Sequence, residues 1–122
     1  MSIVNKDNIK KELRFFKTNK LISRDFLKGY HPPHTSIFLK KNVFKKFGLY
    51  NEELKIASDF EFMLRIFGVK RIKSKYINKT ILVMRAGGTS TKNLMNIMIS
   101  NYEVCKAFKI NNLRISVFLI LR

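Results

Sequence analysis

At 122 residues, 46% of them hydrophobic and eleven of them Phe, the chain has the size and composition of one small packed domain, which excludes a disordered or low-complexity protein. Lys and Arg outnumber Asp and Glu 25 to 8, and the resulting net charge of +17 calls for an anionic partner or neighbour. The single cysteine, Cys105, excludes an intramolecular disulfide and fits a reducing compartment. Its helical spacing from Met98 and Phe108 makes it a buried structural thiol.

In chain order, NKDNIKKELRFFK reads as a helix begun near Asp7, followed by a polar break at residues 18–21 and a turn at Gly29. Pro32 and Pro33 force extended backbone between His31 and His34, and residues 35–39, TSIFL, then read as a buried strand. On extended backbone the two histidine rings alternate to opposite faces, so one metal ion would not readily take both. Asn42 caps a short helix over residues 43–47 that Gly48 closes. Residues 71–77 and 79–84 read as strands, Gly87 and Gly88 break the second, and a longer helix runs from about residue 92 to 109 with Leu94, Ile97, Met98, Cys105 and Phe108 on one side.

Between these lies a helix with an apolar face and one unexplained carboxylate. Phe60, Met63, Leu64 and Phe67 fall at helical spacing on one face, and Phe62 and Ile66 make a second side apolar, so the helix is buried. Ser58 and Glu61 fit a capping box, and Glu61 precedes Arg65 by one helical turn, which gives both charged residues structural work. Asp59 has none. It projects at the rim of the packed face, where burial opposes its charge and the helix N-terminus favours it. Two readings of Asp59 stand side by side: a first-turn acid complementing the helix dipole, or a general base.

The segments KGYHPPHTSIFLKKNVFKKFGLYNEELKIASDFEFMLR, YINKTILVMRAGGTST and KAFKINNL, in this order and spacing, resemble the C-terminal half of the catalytic domain of family-2 glycosyltransferases, inverting enzymes of polysaccharide and lipopolysaccharide assembly. The resemblance implies an α/β chain, a partial GT-A fold of mixed short strands with flanking helices, and one partial domain over residues 1–122. It makes Asp59 the base that deprotonates an acceptor hydroxyl. His34 would line the acceptor side of the cleft, with a turn histidine bonded to backbone as the plainer alternative. Arg85, Gly87 and Gly88 would close over the bound donor; without the resemblance, the glycines are a strand-to-helix turn. The expected partners are a nucleotide-sugar donor and a glycan or polyprenyl-diphosphate acceptor. Family members hold a divalent ion, Mn or Mg, with a D-x-D motif in an N-terminal donor-binding half. This chain carries no D-x-D, so it has no cofactor of its own and reads as the acceptor-side half alone.

The anionic partner stays open among nucleotide and polyprenyl diphosphates, an anionic membrane surface, and nucleic acid, for which the scattered lysines supply no recognisable motif. Biased coding for Lys, Asn and Ile is a further explanation of the charge. A non-catalytic remnant or interaction module is the alternative to an enzyme. The start lacks a signal-peptide pattern, which places the chain in the cytoplasm with peripheral contact at the inner face of the cell membrane left open. The apolar residues 113–121 fall well short of the ~20 needed to span a bilayer and read, with Arg122, as a helix cut short.

Overall fold

The computed structural model describes residues 2–4, 12–15, 23–85 and 93–115. Helices predominate among them, with three very short strands. Strand β1 (Ser2–Val4) lies between β2 (Glu12–Phe15), to which it is antiparallel, and β3 (Val83–Arg85), to which it is parallel. The register sets Ile3 against Met84 and Val4 against Arg85. Helix α1 (Ser23–Leu27) precedes a single 3-10 turn at His34–Ser36, and α2 (Lys41–Phe47) precedes α3 (Ser58–Met63). The chain continues from α3 without a break as π-helix through Leu64–Val69, and α4 (Leu94–Ile110) is the longest element.

The core forms around α3 and its π-helical continuation. Phe60, Phe62, Met63, Leu64, Ile66 and Phe67 are all buried, as the apolar spacing implies. Phe67 stacks on Phe26 of α1 with ring centroids 5.2 Å apart, Phe62 stacks on Phe44 of α2 at 5.1 Å, and Phe60 meets Phe108 of α4 at 6.1 Å. One helix therefore gathers the other three around its circumference. Gly68 permits the closest of these approaches: a Cβ there would lie 3.0 Å from Leu64 Cδ1 and 3.4 Å from Phe26 Cβ, while Ser23 Oγ donates to the Gly68 carbonyl at 2.8 Å. The widened turns end in a Lys70 N–H to Arg65 carbonyl bond of 2.9 Å, five residues back, and Arg71 then reverses the chain at φ 50°.

Gly29 and Gly48 turn the chain where expected, both at positive φ, and α2 closes with the Gly48 N–H on the Phe44 carbonyl. Other expectations are overturned. Residues 12–15 are strand, not helix, because pairing with β1 satisfies their backbone. Residues 35–39 form no strand: Ser36 bonds the Pro33 carbonyl through both its N–H (2.9 Å) and its Oγ (2.7 Å), which folds the 3-10 turn, and Phe38 is 81% exposed. Residues 71–82 belong to no strand, and the ladder begins only at Val83. Helix α2 starts at Lys41, with Lys40 at its N-cap and no side-chain cap, so Asn42 caps nothing. Helix α4 is capped by Asn93, whose side chain accepts from the Asn96 N–H at 2.9 Å. Only its second half is buried, through Glu103, Ala107 and Phe108; Leu94, Ile97 and Met98 are exposed and Cys105 is half-buried. The tail beyond Ile115 lies outside the described residues.

The capping box is also absent. Ala57 is the N-cap of α3, and Ser58 Oγ donates instead to the Asn51 carbonyl at 2.8 Å. Glu61 is 1% exposed and bonds the guanidinium of Arg65 through Nε (3.1 Å) and Nη2 (3.0 Å), the expected partner, while Asn111 Nδ2 donates to it at 2.9 Å. Arg65 also donates to the Phe47 and Leu49 carbonyls, on either side of Gly48, and lies over the Phe62 ring at 5.1 Å. An amide in place of this carboxylate would turn an N–H toward donors from Arg65 or Asn111. Glu61→Gln is expected to lower unfolding free energy by about 2–4 kcal/mol, read as a reduced urea midpoint at constant m-value.

Candidate functional site

The first turn of α3 carries Asp59, and the 3-10 turn brings His34 against it. Nδ1 of His34 lies 2.5 Å from Oδ2 of Asp59, with the His side chain 53% and the Asp side chain 26% exposed. The second carboxylate oxygen accepts the Phe60 N–H at 2.7 Å, which fixes the plane of the group. When the ring is neutral with its proton on Nδ1 toward the carboxylate, Nε2 is the nitrogen left with a lone pair. The turn that aims His34 is anchored by the Ser36 bonds to Pro33 and by the Ile37 N–H on the His34 carbonyl at 3.0 Å. His34 is thus bonded to a carboxylate, not to backbone alone.

His31 also ends near α3: its ring tilts against Phe60 at 5.2 Å and its Nδ1 lies 3.1 Å from the Pro32 carbonyl. The strict alternation expected of extended backbone does not apply, since the chain begins to turn at His34. Among the described residues no three His, Cys, Asp or Glu side chains converge on one point, and Glu53 is engaged by Lys106 at 3.1 Å.

What holds Asp59 in place is a carboxylate on another helix. Glu103, 5% exposed on α4, accepts the Lys55 N–H at 2.9 Å, the Ile56 N–H at 2.7 Å and the Ala57 N–H at 2.8 Å. These three donors lie immediately before α3, so Glu103 positions the turn that carries Asp59. Burial acts to raise the Glu103 pKa, but the Ala57, Ile56 and Lys55 amides, helped by the Lys106 charge, outweigh it and hold the group below its ordinary value.

Comparisons with protein-family models, characterised proteins and solved structures find no match. The site therefore rests on its own geometry. Of the residues singled out in the sequence, Asp59 and His34 come together. Arg85 ends β3, next to Met84, whose sulfur accepts from Thr35 Oγ1 at 3.6 Å and so ties that strand to the turn holding His34. Gly87 and Gly88 lie outside the described residues. The direct pairing of His34 with Asp59 was not legible, because it joins two segments that no local pattern relates. Glu103 was detectable in principle, as an acid one helical turn before Ala107 and five residues before Phe108, on the half of α4 that packs.

Because the folded-state pKa of Glu103 is depressed, its stabilising effect is complete above its ordinary value of 4.5 and is lost as pH falls below that through the folded value. Glu103→Gln is expected to lower stability at neutral pH by about 2–3 kcal/mol and to flatten the decline below that ordinary value. Urea melts of both proteins across the acid range check this; parallel acid limbs would show that Glu103 contributes nothing to it.

Proposed function

We propose that this chain is the acceptor-side half of an inverting glycosyltransferase resembling family 2, with a partial GT-A fold, and that Asp59 and His34 together accept the proton of the acceptor hydroxyl. The observation that carries this reading is the 2.5 Å contact between them, formed within the first of the segments that carry the resemblance. In the intact enzyme the hydroxyl oxygen attacks the anomeric carbon of a nucleotide sugar from the face opposite the diphosphate. The proton passes to the Asp59–His34 pair, and the nucleoside diphosphate leaves with the electrons of the broken bond. The carboxylate orients the ring, so that Nε2 can be aimed at the acceptor hydroxyl. A glycan or polyprenyl-diphosphate acceptor on its way to a surface polysaccharide fits this chemistry. Arg85, at the end of β3, is the candidate cation for the diphosphate.

The exposure of apolar side chains along the first half of α4, with Leu94 80%, Met98 67% and Tyr102 71% exposed, supports a partial domain that packs against a separate donor-binding half carrying the metal motif.

The test joins the chain to such a donor-binding half and measures sugar transfer. Asp59→Asn is expected to lower the rate by about 10²- to 10⁴-fold with donor affinity nearly unchanged, and His34→Ala by at least about tenfold. Rates within about threefold of wild type for both variants would remove the pair from the reaction.

A further inference from the structure

After the π-helix the chain runs through residues 70–82 as largely exposed, irregular backbone that carries Lys70, Arg71, Lys73, Lys75 and Lys79 and no carboxylate. Its apolar side chains divide by depth. Ile72 packs against the core, whereas Tyr76, Ile77 and Ile81 are 39%, 54% and 42% exposed. This segment and residues 36–43 enclose an open cleft of about 760 Å³ beside the turn that holds His34. Phe38 lines it at 81% exposure, Lys40, Lys73, Lys75 and Lys79 also line it, and no Asp or Glu does.

We propose that this cleft and its rim are a docking surface for an anionic lipid bilayer. Exposed Phe38, Ile77 and Ile81 gain by leaving water for the boundary between headgroups and acyl chains, and Tyr76 can keep its hydroxyl at headgroup level. The four lysines reach lipid phosphates through flexible apolar stems that also lie along the interface. A phosphate-rich surface answers the unopposed positive charge of the cleft, and the +17 charge of the whole chain draws it there. The same lysines, with Phe38 and Tyr76 as π faces, would also attract a single-stranded nucleic acid, but the aliphatic Ile37, Leu39, Val43, Ile72, Ile77 and Ile81 outnumber those two rings in the lining and favour lipid.

Density-gradient flotation of the 122-residue chain with vesicles tests this, because bound protein rises while self-associated protein sinks. The chain is expected to float with phosphatidylcholine vesicles containing about 30% phosphatidylglycerol and not with phosphatidylcholine alone, less so as salt rises. Lys73→Glu, Lys75→Glu and Lys79→Glu together should weaken binding by about tenfold or more, and Phe38→Ser with Ile77→Ser by a similar factor. All five side chains are exposed, and circular dichroism verifies that each variant stays folded. Equal flotation with neutral vesicles, or undiminished flotation of the lysine variant, would overturn the proposal. So would a preference for a single-stranded RNA oligonucleotide over anionic vesicles that the lysine variant abolishes. Flotation requires no sugar transfer, so this proposal and the catalytic reading fail separately.

Discussion

The geometry of the candidate site depends on one carboxylate that takes no part in it. Glu103 gathers three consecutive backbone amides, of Lys55, Ile56 and Ala57, at 2.7 to 2.9 Å. Those amides would otherwise be donors without partners on a segment that includes the buried Leu54 and Ala57. Three charge-assisted bonds to one rigidly held group fix the entry to α3 more firmly than a local serine cap could, because the carboxylate belongs to a helix that is itself packed on the core through Phe108. The direction in which Asp59 leaves α3, and hence its meeting with His34, follows from that anchorage.

A second buried acid fixes the other side of the same helix. Glu61 holds Arg65, and Arg65 also donates to the carbonyls of Phe47 and Leu49, the two residues flanking Gly48. Only a forked, planar cation can serve a carboxylate and two carbonyls at once while its face lies on an aromatic ring. Crowding enforces the turn as well, since a Cβ at Gly48 would stand 3.1 Å from Arg65 Nη1. Helix α3 with its π-helical continuation is thus clamped to α4 through Glu103, to the end of α2 through Arg65, and to α1 through Gly68, leaving the rim with Asp59 as its partly open edge.

The charge of the chain is distributed in keeping with this division of labour. Both buried acids are satisfied by donors within the protein, and the acids at the surface are few. The excess lysines are consequently unopposed, and the described residues 70–82 concentrate five basic side chains with no acid among them. The core and the charged surface solve separate problems, and α3 with its π-helical extension lies between them, presenting the Asp59–His34 pair at one end and leading into the basic segment at the other.

By itself the sequence determined what depends on neighbours a few residues apart. The apolar spacing of residues 60–67 dictated a buried helix, Gly29 and Gly48 dictated turns, the Glu61–Arg65 spacing dictated an ion pair, and the long helix near the C-terminus was legible to within two residues at its start and one at its end. Asp59 could be singled out as a carboxylate without local work, and His34 as a residue beside two prolines. Tertiary structure alone decided which groups complete one another. The Glu103 bonds span 46 to 48 residues, so no local pattern could reveal that a distant acid would replace the Ser58 cap or that His34 would find Asp59. The misread strands have the same origin: β-branched residues fit strands and exposed irregular chain alike, and only the position of a pairing partner selects between them. That partner, β1, reaches Val83 but not residues 71–82, which is why the ladder is short and the basic segment stays open.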